Sequence, residues 1–123
     1  MNKYNNLYCK VFLDTDINRE QLLPLIAKLI NGKVSRREIE TSIAKISVRT
    51  NDDFDENQRE EFPDGFLYYR FFLDIEPLKD TDQKVYIETL SHFLESLWSL
   101  NYKVVAACDF EEELPRKGGY NWL

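Results

Sequence analysis

What most constrains this chain is the spacing of its apolar residues between positions 7 and 110. The period is two where alternate side chains share one face of a strand, and about 3.6 where they share one stripe of a helix. Over 7–14, Leu7, Cys9, Val11 and Leu13 have one parity, and Tyr8, Lys10, Phe12 and Asp14 the other. A helix follows. Asn18 caps it, with Gln21 at the capping-box position and Ile17 placed to staple onto Leu22. Leu22, Leu25, Ile26, Leu29 and Ile30 form its apolar stripe. Pro24 conflicts locally, because it lacks an N–H and crowds the preceding turn. Asn31-Gly32 ends the helix.

The segment 38–50 reads two ways. Ile39, Ile43 and Ile46 are spaced like a helix face, yet Ile39, Thr41, Ile43, Ile46, Val48 and Thr50 are β-branched. The β-branched content predicts a strand, and the parity change between Ile43 and Ile46 predicts a bulge near Ala44-Lys45. A polar loop over 51–65 ends in the turn signal Pro63-Asp64-Gly65. The alternation over 66–75 is the strongest strand signal, and Pro77 closes it. Asp80 is the expected cap of a second helix, whose stripe is Ile87, Leu90, Phe93, Leu94, Leu97 and Leu100. Asn101 ends that helix, and 103–110 reads as the last strand.

This β-α-β-β-α-β order predicts an α+β ferredoxin-like sandwich, a four-stranded antiparallel sheet with two helices on one face. The chain of 123 residues fits one domain, 1–123, with a core over about 7–110 and an acidic then aromatic tail over 111–123. Apolar residues make up 43%, enough for one core and too many for a disordered chain. The first residues, Met1 to Asn6, lack the apolar segment of a secretory signal, and no apolar run approaches the roughly 20 residues of a membrane span. Cys9 and Cys108 form no CxxC pair and lie in apolar strand segments. They read as reduced, buried thiols of a cytoplasmic protein.

The net charge is −6, which repels phosphate backbones and anionic membranes and attracts basic proteins. That charge is concentrated. Asp52, Asp53, Asp55, Glu56, Glu60, Glu61 and Asp64 share a loop with Arg59 alone as a positive neighbour. Such a loop is either a solvated connector or a docking surface for a basic partner. Asp53, Asp55, Asn57 and Asp64 also fall at positions 1, 3, 5 and 12 of an EF-hand-like spacing. Gln58 replaces the turn glycine and Pro63 interrupts, which argues against calcium. A second acidic group, Asp109, Glu111, Glu112 and Glu113, follows the last strand. Charges there either guard a sheet edge or bind a partner.

Tyr8, Lys10 and Phe12, with Tyr68, Arg70 and Phe72, share the parity expected on the open sheet face. Mixed aromatic and basic residues on a sheet suit RNA, but Asp64 stands where an RNA-binding motif needs a basic residue. The net charge also opposes nucleic acid. The tail aromatics Tyr120 and Trp122, with Leu123, are the alternative cover for that face, as is a second copy of the chain in a homodimer. Catalysis has little support. The single histidine, His92, lies among Glu88, Glu95, Ser96 and Ser99 on a polar helix face, spacing that permits only a weak metal contact. No nucleophile has an evident base, and the glycines form no phosphate loop. No metal or cofactor is expected, although an enzyme built from converging carboxylates stays open.

The segment from Phe62-Pro63-Asp64-Gly65 to Phe71 and the ending Cys108-Asp109-Phe110-Glu111-Glu112-Glu113-Leu114-Pro115, then Gly118-Gly119-Tyr120-Asn121-Trp122, resemble small bacterial proteins of the immunity type from toxin–immunity systems. The resemblance implies a cytoplasmic protein that binds and blocks a cognate toxin. The expectation is therefore a non-catalytic acidic domain with a basic protein partner, such as a nuclease toxin, and no nucleic acid or membrane. Its partner-binding residues are the two acidic groups with Tyr120 and Trp122. A small-ligand-binding or self-associating domain is the alternative, and a small enzyme the second.

Overall fold

The architecture follows from where the backbone can reverse. A computed structural model of the chain describes residues 4–61 and 64–119. In chain order the elements are β1 (Cys9–Asp14), α1 (Arg19–Leu29), β2 (Lys33–Ser35), β3 (Glu38–Glu40), β4 (Ala44–Thr50), β5 (Phe71–Pro77), α2 (Gln83–Ser99) and β6 (Lys103–Cys108). The strands pair antiparallel in one sheet of order β2-β3-β4-β5-β1-β6. The class is α+β with an antiparallel sheet and two α-helices among the described residues, and the sheet has six strands rather than four.

The two additional strands come from reversals that carry no glycine. The expected strand over 38–50 is a hairpin: the Thr41 side chain accepts from the N–H groups of Ile43 (3.1 Å) and Ala44 (2.8 Å), turning the chain between β3 and β4. Ile39 and Ile46 thereby become register partners, both fully buried. A reversal restores parity just as a bulge does, so the sequence pattern reads alike for both. The β2–β3 turn is Arg36-Arg37, with φ of +50° and +68°. That left-handed pair is ordinarily Asn-Gly or Asp-Gly.

The strand expected over 66–75 begins only at Phe71, because Gly65–Tyr68 is a 3-10 turn. Asp80 is not the cap of α2. It sits at φ +63°, and Asp82 caps the helix, accepting from Lys84 and Val85 N–H groups. Asn18 and Gln21 make the expected capping box on α1. Both helices end with asparagine in the left-handed conformation, Asn31 at φ +59° and Asn101 at φ +67°. In each, the N–H two residues past the cap returns to the last turn, from Gly32 to Ala27 O and from Tyr102 to Leu97 O.

One face of the sheet carries the core. Val11, Leu13, Ile46, Val48, Leu73, Ile75, Val104 and Ala106 meet Leu22 and Ile26 of α1 and Leu90, Phe93, Leu94 and Leu97 of α2. Burying a large apolar side chain contributes about 1.5–3 kcal/mol. Several such residues in α1 offset the ~3 kcal/mol that a proline costs inside a helix, and α1 runs through the exposed Pro24.

The other face is only partly covered. Phe12, Tyr69 and Val105 form a small second cluster, with Phe66 edge-on to Phe12. Phe12 is thus buried rather than displayed, and it is the 65–69 segment that covers it. Lys10 lies over the Phe72 ring, its Nζ 4.3 Å from the centroid. Beyond it the Tyr8 hydroxyl donates to Asp74, which also accepts from Arg49 Nε at 2.9 Å. Burial first, and then the Asp74 carboxylate, push the Tyr8 hydroxyl well above the ordinary tyrosine range.

Candidate functional site

The acidic loop leaves the sheet at Thr50 and returns at Phe71, which are register partners. Asn51 organises it from within. Its side-chain amide donates to Leu67 O (3.0 Å) and Tyr69 O (2.7 Å), and its N–H donates to Arg70 O (2.8 Å). Asp55 N–H takes the Tyr68 carbonyl. The carbonyls of 67–70 are therefore used inside the loop, which is why this stretch does not pair as strand. Asn51 is the buried polar residue of the described chain, and its bonds explain the burial.

A second brace ties the loop to β1. The Asp14 carboxylate accepts from the Arg59 guanidinium at 3.2 and 3.4 Å and from the Arg70 N–H at 3.1 Å. Both side chains are largely withdrawn from solvent, 22% and 10% exposed for Arg59 and Asp14, so the pair is stronger than a surface bridge. Arg59 and Arg70 both lie against the Phe54 ring, at 5.3 and 5.4 Å from its centroid. Gly65 fits here because a Cβ would come within 2.6 Å of Arg59 O.

The carboxylates divide by role. Asp55 works for the backbone, accepting from the N–H groups of Gln58 (2.9 Å) and Asn57 (2.8 Å), and these bonds hold its carboxyl below the usual range. Glu60 pairs with Lys103 at 3.4 Å and lies 3.8 Å from Arg59 Nε. Asp52, Asp53, Glu56, Glu61 and Asp64 are exposed. The calcium spacing does not close: Asp55 is committed to its turn, and among the described residues no three His, Cys, Asp or Glu side chains are arranged to hold a metal ion.

The second acidic group is not part of this surface. Lys103 at the start of β6 pairs with Asp14, and Cys108 at its end pairs with Cys9, so residues 109–113 leave the opposite end of the sheet. The length of β6 separates the two groups by about 17 Å. Glu111 folds back to accept the Cys108 N–H at 3.2 Å, while Phe110 and Leu114 on either side are buried. The chain then returns along the free edge of β6. Arg116, Lys117, Gly118 and Gly119 all have positive φ, from +50° to +103°. A Cβ on Gly118 would meet Ala106 O at 2.5 Å, and one on Gly119 would meet Val104 O at 2.8 Å. Trp98 Nε1 donates to Val104 O at 3.1 Å. The segment covers an edge strand, so the edge is guarded by backbone and tryptophan as well as by charge.

Between the two regions lies a groove of about 360 Å³ lined by Arg59, Glu60, Glu61, Tyr69, Trp98, Tyr102, Lys103 and Arg116. Arg116 stacks on Trp98 at 4.7 Å, and Arg59 Nε is buried there without a hydrogen bond. Burial, then Asp14 and Glu60, hold the Tyr69 hydroxyl well above its ordinary range, so it stays protonated. Sequence reasoning missed Asn51, Asp14 and Trp98, and nothing in their local pattern marks them. His92 is exposed on α2, beside Glu88 and Ser91 in a shallow surface depression, and the Ser96 hydroxyl donates to its carbonyl. Among the described residues no helix is long and apolar enough to cross a membrane. Tyr120 and Trp122, and the turn residue Pro63, lie outside the described residues. Compared with models of protein families, with curated proteins and with solved structures, the chain matches none of them.

Proposed function

We propose that this chain is a non-catalytic protein-binding domain that meets a basic surface of its partner with the acidic loop over residues 52–64. The observation that carries this reading is a division of labour within the loop. Asn51, Asp14, Arg59 and Asp55 hold the backbone through hydrogen bonds, and Asp52, Asp53, Glu56, Glu61 and Asp64 project into solvent. A surface braced before contact loses less conformational entropy on binding than a free acidic tail. Its negative field speeds encounter with a cationic partner. An inhibitor of immunity type fits that description, because a nuclease that holds phosphates has a positive active site for carboxylates to occupy. Such a protein would act in the cytoplasm. On the same reading β4-β5-β1-β6 with the two helices is a ferredoxin-like core, extended beyond β4 by the β2–β3 hairpin.

The test is affinity capture from the source cell with the intact chain and with a variant carrying Asp52→Lys, Asp53→Lys, Glu56→Lys and Glu61→Lys. The expected result is a basic protein held by the intact chain and lost by the variant, with both chains equally folded. Recovery of the same protein by both would overturn the acidic loop as the binding surface.

A further inference from the structure

The two cysteines are 99 positions apart in the chain, yet they are direct register partners on β1 and β6. Their pair type is readable from the hydrogen bonds. Trp98 Nε1 donates to Val104 O, so that carbonyl points away from β1, and the Cys108 N–H likewise points away, to Glu111. Leu13↔Val104 and Cys9↔Cys108 have the same parity and are therefore non-hydrogen-bonded pairs. In such pairs the Cα atoms approach to about 4.5 Å, at the short end of the roughly 4.4–6.8 Å range that a disulfide spans. The side chains face the same side of the sheet, where Cys108 packs against the core cluster that holds Cys9. We infer that Cys9 and Cys108 are a reversible dithiol site, closed to an intramolecular disulfide by exchange with a small-molecule disulfide.

The order of events follows from exposure. Cys108 is partly exposed, and Cys9 is buried. The Cys108 thiolate attacks one sulfur of the small disulfide, forming a mixed disulfide and releasing the first small thiol, which takes up the proton Cys108 lost. Cys9 then gives up its proton and attacks Cys108 Sγ. The Cys9–Cys108 bond forms, the bond to the small molecule breaks, and the second small thiol leaves. Two protein thiols are oxidised by two electrons, and one small disulfide is reduced to two thiols. The setting makes the reaction slow. The neighbouring Cys108 and burial push the Cys9 thiol well up, and Glu111 adds negative charge nearby. Among the described residues the charge that acts on the pair is negative, unlike the electropositive surroundings of a fast redox sensor. Once formed, the bond ties the first strand to the last, and the long loop it closes strongly limits the unfolded chain.

The test uses the full folded chain with glutathione disulfide as the probe, followed by mass spectrometry without reduction. The expected product is a monomer about 2 Da lighter than the reduced chain, with both thiols unreactive and a Tm raised by about 10 °C or more. Dithiothreitol should reverse all three changes. Cys9→Ser should stop at a glutathione adduct on Cys108, and in Cys108→Ser the buried Cys9 should stay free while the chain is folded. As a control that needs no variant, conversion of the Cys108 adduct to the closed disulfide should be at least about tenfold slower in denaturant, where the two positions no longer meet. A stable adduct on the intact chain, a cross-linked dimer through Cys108, or equal closure rates with and without denaturant would each overturn the inference.

Discussion

The two acidic segments have similar composition and opposite construction. Residues 52–64 stand on a loop whose hydrogen bonds run through Asn51 and Asp14, leaving most carboxylates free to face solvent. Residues 109–113 form a single turn between the buried Phe110 and Leu114, and Glu111 is spent on the end of β6. A run of carboxylates therefore has no fixed meaning. What decides its role is whether neutral or buried residues do the structural work around it. The first segment displays charge from a loop braced by polar groups, and the second exposes Asp109, Glu112 and Glu113 from a turn anchored by apolar ones, with Glu111 alone bound to the sheet.

The scaffold beneath both segments should fail first. Leu73, fully buried on the central strand β5, should cost about 2–5 kcal/mol as Leu73→Ala in a denaturant titration. A loss below 1 kcal/mol, on the order of a surface change, would remove it from the core. Asn51→Ala comes next, because it leaves the Leu67 and Tyr69 carbonyls without their donors. At about 1–3 kcal/mol for a buried group left unpaired, the loss should show both in stability and in faster amide exchange over 52–70. Unchanged exchange there would mean that Asn51 does not brace the loop.

Gly118→Ala probes the chain that follows the second segment along β6. With φ +89° and Ala106 O at 2.5 Å from the new Cβ, it should destabilise the chain by more than about 1 kcal/mol, with protection lost along β6. An unaffected β6 would show that the returning chain does not cover that edge.

The smallest effect is at the acid end of the pH range. Asp55 has its folded-state pKa lowered by the Gln58 and Asn57 N–H groups. Its contribution is present above the unfolded value of about 3.9 and is lost as pH falls through the folded one. The turn at Gln58–Glu60 should loosen over that window, seen as a change in the Gln58 amide resonance that is absent in Asp55→Asn. Tyrosine gives the opposite sign. Tyr86, raised chiefly by burial, holds stability below the unfolded value near pH 10 and loses it as pH rises further. Tyrosinate absorbance should then lag behind that of a free tyrosine until the chain unfolds.

Much of the scaffold was legible in the sequence because its signals are local. The β1 alternation, the Asn18–Gln21 box and the α2 stripe each depend on neighbours a few positions away. The C-terminal ends of both helices were legible too, although the left-handed residue after α1 is Asn31 and not the glycine that follows it. The reversals were not. Thr41 replaces a glycine turn with its hydroxyl, Arg36-Arg37 occupies positions that arginine rarely takes, and the parity change before Ile46 reads as a bulge as readily as a hairpin. Phe66 to Tyr69 alternates like a strand, but its carbonyls are claimed by Asn51, a contact no spacing rule reveals. The acidic residues themselves were visible as composition. Their separation to opposite ends of the sheet, and the cysteine pairing at one of those ends, are set by strand order, which composition does not carry.

The comparison between the two acidic segments is tested most directly by moving the same charge at both ends. One variant carries Asp53→Lys and Glu56→Lys on the loop, the other Asp109→Lys and Glu112→Lys beyond β6, so net charge changes equally. Association with the protein captured by the intact chain is then timed at low and high salt. The expected result is a loss of association rate of tenfold or more, with a flattened salt dependence, for the loop variant alone. Equal losses in both variants would reduce the effect to net charge, and a larger loss in the Asp109, Glu112 variant would put the binding surface at the wrong end of the sheet.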